Sequence, residues 1–199
     1  MGQLMFFDDS HTYQVDGETL PGVSEIIRFI SREIYGSITQ YTLDNAAERG
    51  KKVHKYCENL DKLGTVECDE DLAAYVEAYM KFMKEHTVEW NTIEQSAYHR
   101  DLLYAGTIDR AGTVDGKLTI LDIKTSYAIQ KPLVTAQLNA YADIYENNNE
   151  TIVERLTALQ LMPDGTYKLH EIERDSSVFA ACLTLHTALK KKKRGKKDE

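Results

Sequence analysis

Residues 104–124 read Tyr104-Ala-Gly106-Thr-Ile-Asp109-Arg-Ala-Gly-Thr-Val114-Asp-Gly-Lys117-Leu-Thr-Ile-Leu-Asp122-Ile-Lys124. Two β-rich runs flank Asp115-Gly116, and an Asp-Gly pair in that setting is the strongest short-range signal for a two-residue hairpin turn. Such a turn fixes the register, with Val114 opposite Lys117 and every later pair one step further down both strands. Carried along a regular ladder, this register puts Asp109 directly across from Asp122, with Cβ atoms about 4.5–5.5 Å apart. Lys124 projects from the same face as Asp122, because strand side chains alternate. Leu118 and Ile120 share that face, which predicts that it is at least partly covered.

Carboxylates set directly opposite each other repel. A positive charge between them removes the conflict, and hard divalent cations prefer oxygen ligands. A lysine beside the pair can hold or activate a water, or meet a phosphate oxygen. The hairpin therefore reads as a magnesium- or manganese-dependent phosphodiesterase centre; the alternative is a solvent-facing hairpin with ordinary surface charges. Asp115-Gly-Lys117 shows the same acid-x-Lys spacing, but Asp115 belongs to the turn. Asp122 instead follows an apolar strand and has a carboxylate partner.

Outward from the hairpin, residues 88–100 read as a strand that includes Trp90, Ile93 and Glu94. Pro132 opens a helix to about residue 145, with Gln137 and Tyr141 one turn apart on one face, and Asn147-Asn-Asn149 ends it. Residues 152–162 form an apolar strand, Pro163-Asp-Gly165 a turn, and 167–172 a shorter strand. Asp175 or Ser176 caps a last helix with Val178, Phe179, Cys182, Leu185 and Leu189 on its apolar side. On the N-terminal side, residues 5–20 read as a hairpin about Asp16-Gly17, and Ser24 caps a short helix over 25–30. Residues 42–60 are helical in spite of Gly50, with Ala47, Gly50, His54 and Glu58 on one face and Arg49 near it. A glycine in mid-helix costs about 1 kcal/mol, which suggests close approach of a backbone or ligand. His54 taken alone reads equally as a histidine with Glu58 as its local partner. A second amphipathic helix covers 69–86, its stripe of Tyr75, Tyr79 and Phe82 predicted to be core.

Length and charge bound the rest. At 199 residues the chain is long enough for one domain with a sizeable core. We expect that domain over 1–189, divided into a hairpin and helices (1–87) and a core sheet with flanking helices (88–189), then a basic disordered tail at 190–199. The net charge is −8, and seven of the 24 Lys/Arg lie in that tail, so the body is more acidic still. Such a body argues against tight, nonspecific coating of duplex DNA, but permits a DNA enzyme whose site is neutralised by metal. Cys57, Cys68 and Cys182 are too few and too scattered for a disulfide framework or an iron–sulfur cluster. The start lacks the flanks of a signal peptide and no apolar run spans a bilayer, so a cytoplasmic protein without a membrane association is expected.

Four pieces occur in order: Arg49-Gly50-x-x-x-His54-x-x-x-Glu58, Gly106-Thr-Ile-Asp109, Asp122-Ile-Lys124-Thr125 and Gln137-Leu-x-x-Tyr141. Together they resemble the PD-(D/E)xK nuclease superfamily, and more closely its RecB-like branch with the lambda-type phage exonucleases. They cover residues 49–141, about half the chain, and residues 6–27 also look like the start of phage-encoded members. Two features depart from the family. Asp122 stands where Glu is commoner, which the motif permits, and the four-cysteine iron–sulfur frame of some members is missing.

The resemblance implies an α/β fold with a restriction-endonuclease-like core, a central mixed sheet flanked by helices, here with an N-terminal hairpin and helical elaboration. It implies that His54, Asp109, Asp122 and the carbonyl of Ile123 ligate one or two Mg²⁺ or Mn²⁺ ions. Asp109, Asp122 and Lys124 would be the catalytic set, with Lys124 positioning the attacking water and stabilising charge on the phosphate. Gln137 and Tyr141 would orient Lys124 or touch the DNA backbone. Arg49 belongs to the same group, and Glu94 resembles a second-tier acidic position. The activity implied is metal-dependent DNA exonuclease action that leaves 5′-phosphates, in phage-type recombination or DNA processing within a bacterial host. A structure-selective or nicking endonuclease, or an inactive member that binds nucleic acid or protein, is the alternative. The partner implied is DNA, with a strand-annealing protein or a helicase as a candidate second partner.

Overall fold

The computed structural model describes residues 2–8 and 10–195, without the side chains of 191–195. Three short strands come first, β1 (Leu4–Phe7), β2 (Thr12–Val15) and β3 (Glu18–Leu20), in one antiparallel sheet of that order. Asp16 and Gly17 both have positive φ, as the expected two-residue turn demands. Helix α1 (Val23–Ile26) begins one residue before Ser24, with Gly22 at its N-cap and no side-chain cap. Val23 and Ile26 are both buried, so packing sets this start and the expected Ser24 cap does not form. Helix α2 (Arg28–Tyr35) follows. Thr39 caps α3 (Gln40–Leu63) through a hydrogen bond from the Thr42 N–H, and left-handed Gly64 closes it. Helix α4 (Ala73–Glu85) buries Tyr75, Tyr79 and Phe82, the expected core stripe.

The main sheet follows in the order β4 (Val88–His99), β5 (Tyr104–Val114), β6 (Lys117–Lys124), β7 (Arg155–Leu161), β8 (Tyr167–Ile172). All neighbours are antiparallel except β6 and β7, so the sheet is mixed. The crossover between that parallel pair is α5 (Lys131–Asn149), and α6 (Ser177–Gly195) ends the described chain. Residues 147–149 complete the last turn of α5 instead of ending it earlier. Asn147 Oδ1 accepts from the Arg100 N–H at 2.9 Å and Asn148 Nδ2 donates to the Tyr98 carbonyl at 2.8 Å, which ties the helix end to β4. Helix α6 continues to Gly195 where a tail was expected from 190, since Lys and Arg are good helix formers and suit the negative C-terminal end of the helix dipole. The rest of that basic segment, 196–199, lies outside the described residues.

Alternation along the strands builds two cores. Ile120, Leu156 and Ala158 face α5 and pack with Leu138, Ile144 and Phe179. Leu121, Ile123, Leu159 and Leu161 face the other way, onto Val53 and Cys57 of α3 and Tyr79 and Phe82 of α4. The free thiols Cys57 and Cys182 are thus buried on opposite faces of the sheet. Among the described residues no helix is long and apolar enough to cross a membrane.

Candidate metal centre

Asp115 and Gly116 have positive φ (52° and 77°), and Val114 pairs with Lys117, so turn and register form as the sequence dictates. The paired residues run down to Arg110 and Leu121 and stop there. Beyond that point β5 keeps its pairing with β4 as far as Tyr104, and β6 keeps its pairing with β7 as far as Lys124. The two strands therefore part, and Asp109 and Asp122 lie one step past the last pair at the mouth of the opening. The regular ladder pair that the sequence predicts for Asp109 and Asp122 therefore does not form. The Asp109 carboxylate Oδ2 instead accepts the Ile123 N–H at 2.8 Å.

Parting opens the sheet to both helical layers. From α3, His54 enters on the side of Val53 and Cys57; from α5, Gln137 and Tyr141 approach on the side of Ile120. His54 Nε2 lies 2.9 Å from the Ile123 carbonyl. Its Nδ1 lies 3.2 Å from Glu94 Oε1 and 3.4 Å from Asp109 Oδ2. Both ring nitrogens face oxygen atoms, an arrangement that favours the doubly protonated ring. Burial pulls its pKa down, but Asp109, Glu94 and Asp122 outweigh that and push it up to about 9. Glu58 is not its partner; that carboxylate binds Lys55 and Lys62.

Asp122 is buried, and its Oδ2 sits 2.6 Å from Lys124 Nζ at an angle outside hydrogen-bond geometry, an ion pair instead of an aligned bond. Lys124 Nζ donates to Gln137 Oε1 at 3.0 Å, and Gln137 Nε2 donates to the buried Tyr141 hydroxyl at 3.1 Å. Burial raises the pKa of both Asp109 and Asp122, against His54 and Lys124 respectively. Gly106 makes room for this row: a Cβ there would lie 2.7 Å from Tyr141 Cε1. Arg49 reaches the Thr125 carbonyl at 3.4 Å.

One ligand atom each from His54, Glu94 and Asp109 lies within 4.8 Å of the other two, so these three could hold a cation. Glu94, which the resemblance sets in a second tier, is one of these three, and Asp122 sits beside Lys124 instead. An imidazole, carboxylates and the Ile123 carbonyl form a nitrogen–oxygen donor set that suits Mg²⁺ or Mn²⁺. The His54 ring is pinned among the carboxylates of Glu94 and Asp109, and Asp122 Oδ2 is a buried oxygen without an aligned partner. The residues fit a divalent cation. The sequence reading missed Arg110 and Asp61, which form a buried ion pair behind the site. A charged residue beside Asp109 in an otherwise apolar strand was the available signal for the first; Asp61 had none.

The centre lies in a cleft of about 1270 Å³ between the N-terminal sheet, α3 and the strand ends, lined among others by Arg49, Gly50, His54, Lys124, Ser126 and Tyr127. A Cβ at Gly50 would meet only Thr125 Oγ1 at 3.8 Å, an ordinary contact, so the fold itself does not demand glycine there.

No protein-family model matches the sequence, and no curated protein matches it. Among solved structures the chain is similar to an alkaline exonuclease, LHK-Exo, from Laribacter hongkongensis, at 16% identity over 73% of this chain and 85% of that one, with a TM-score of 0.38. It is also similar to LHK-Exo in complex with dAMP, at 14% identity over 89% and 94% of the two chains, with a TM-score of 0.43. Likeness of this size carries no weight for the chemistry, which rests on the site's own geometry.

Proposed function

We propose that this chain is a metal-dependent deoxyribonuclease of the PD-(D/E)xK type, and that it acts as an exonuclease. The observation that carries this reading is the convergence of His54, Glu94 and Asp109 with the Asp122–Lys124 pair where β5 and β6 part. A divalent cation bound there would neutralise the carboxylates, polarise a phosphoryl oxygen and lower the pKa of water. His54, Glu94, Asp109, Asp122 and the Ile123 carbonyl are the groups available to hold it. Lys124, steadied by Gln137, sets an ammonium beside the carboxylates; there it can orient water and stabilise negative charge that grows on a phosphate in the transition state. Tyr141 fixes Gln137 from below, and its burial keeps the phenol neutral. Arg49 and Lys51 line the cleft and suit a nucleic-acid backbone.

The test is a time course on end-labelled linear duplex, single strand and covalently closed circle with Mg²⁺, Mn²⁺ or chelator. Metal-dependent loss of linear DNA, absent on the circle and in Lys124→Ala, is the expected result. Cutting of the circle would reassign the activity to an endonuclease. Absence of cleavage on all three substrates would remove the enzymatic reading.

A further inference from the structure

Arg110 follows Asp109 and has no solvent-exposed surface. Its Nε donates to Asp61 Oδ2 at 2.7 Å. Its Nη1 donates to Glu94 Oε1 at 3.1 Å and to the Asp109 main-chain carbonyl at 2.6 Å. Asp61 is anchored in turn by the buried Tyr79 hydroxyl at 2.8 Å, and the Tyr79 ring lies 5.9 Å from the guanidinium carbon. One side chain thus joins α3, β4 and the backbone of β5 directly behind the candidate centre.

Stability alone is a poor reason for this arrangement. Buried ion pairs are commonly no better for stability than apolar side chains of the same volume, because both charges lose their water. Arg110 Nη2 is also buried without a hydrogen-bond partner. A core that needed only filling would be served by Met or Leu. What an apolar side chain cannot do is grip Glu94. That residue has φ +48°, a left-handed conformation that a non-glycine residue keeps only where its surroundings over-determine it. Its Oε1 is held between Arg110 Nη1 and His54 Nδ1.

We propose that Arg110 is a positioning residue of the metal centre: anchored by Asp61 and Tyr79, its guanidinium fixes Glu94 in the left-handed conformation and aims the Glu94 carboxylate at the ligand position shared with His54 and Asp109. This rests on the metal-centre reading above. Arg110 itself touches neither cation nor substrate. Its fork matters because Nε and Nη1 meet two carboxylates at once, which a lysine ammonium cannot reproduce in the same plane.

The experiment is Mn²⁺ binding followed by electron paramagnetic resonance on the folded wild type, Arg110→Met, Arg110→Lys, Glu94→Gln and the double variant Arg110→Met/Glu94→Gln. Loss of a partner that orients a metal ligand typically weakens binding about 10–100-fold. We expect Arg110→Met to fall in that range, Arg110→Lys to recover part of it, and Arg110→Met to add little once Glu94 is already Gln. Asp61→Asn, which keeps the guanidinium and loosens its anchor, reports in the same assay if Arg110→Met does not fold; it should weaken Mn²⁺ binding in the same direction. Unchanged Mn²⁺ affinity in the folded Arg110 or Asp61 variants overturns the proposal. So does an equal loss on Arg110→Met with Glu94 or Gln at position 94, which would be a structural effect only. Wild type that binds no Mn²⁺ would overturn the metal-centre reading itself, a different result from wild type that binds as tightly as its Arg110 variants.

Discussion

Loading of the centre is expected to displace a proton from His54, so cation affinity should climb with pH well above the range in which histidines ordinarily titrate. His54 Nε2 faces the Ile123 carbonyl and Nδ1 faces Glu94 and Asp109. A metal ligand must be the neutral imidazole, so binding and protonation exclude each other. With the pKa pushed up to about 9, roughly one site in a hundred is deprotonated at pH 7 and about one in four at pH 8.5. Apparent Mn²⁺ affinity should therefore rise about twentyfold between those pH values, with close to one proton released per ion at pH 7. Calorimetry in two buffers of different ionisation enthalpy measures the proton count directly. The His54→Asn variant keeps an oxygen donor without a titrating ring, and should bind more weakly but with a flat profile over the same range. Wild-type affinity that stays constant from pH 7 to 8.5, with no proton released, would refute the assignment of His54 as both imidazolium and ligand.

The same shift acts on stability when metal is removed. The folded state raises the His54 pKa above its ordinary 6.5, so the imidazolium's contribution is complete below about pH 6.5 and is lost as pH rises through about 9. At about 1.4 kcal/mol per unit the ceiling is about 3.5 kcal/mol, and the true value is lower because a quarter of the side chain remains exposed to screening water. Thermal melts of chelated protein should lose stability from pH 7 to 9, and Mn²⁺ should restore it.

Other perturbations separate chemistry from folding. Lys124→Ala should cut cleavage by about 10²–10³-fold, the usual loss when a preorganised charge is removed from a reacting centre, while leaving Mn²⁺ bound in the same resonance assay. Gly50→Ala should raise helix stability by about 1 kcal/mol in denaturant melts yet weaken DNA binding, because the new methyl enters the cleft and not the core. Gly106→Ala should do the opposite: its Cβ would press on the Tyr141 ring, cost about 1–3 kcal/mol in the same melts, and lower turnover through Gln137 and Lys124.

How much of this was legible in the sequence follows from the range of the forces involved. The hairpin register was legible because an Asp-Gly turn is local: two residues with positive φ set the pairing from Val114–Lys117 to Arg110–Leu121. The two cores were legible because alternation along β6 and β7 and the helical stripe of α4 encode which side is buried. Helix ends were less so. Val23 moved the start of α1 ahead of Ser24, and two of the three asparagines that would favour a stop, Asn147 and Asn148, were drawn into α5 by partners at the end of β4 and just beyond it. These are tertiary contacts, and a local rule does not see them.

The parting of β5 and β6 is the feature that local pattern could not supply, and the candidate chemistry depends on it. A closed ladder would have set Asp109 and Asp122 side by side on the α5 face, with the sheet itself between them and His54 on α3. Ending the ladder after Arg110 and Leu121 lets the His54 ring reach the Ile123 carbonyl from one layer while Gln137 reaches Lys124 from the other. Two contacts occupy the break, one between strands and one between sequence neighbours. The Asp109 carboxylate takes the Ile123 N–H, and Arg110 takes the Asp109 carbonyl. Buried backbone groups at the break are thus satisfied by side chains of the site, as an interrupted ladder requires. The opening and the charged residues in it stabilise each other, so substitutions that close the ladder should abolish cation binding even where every ligand is left in place.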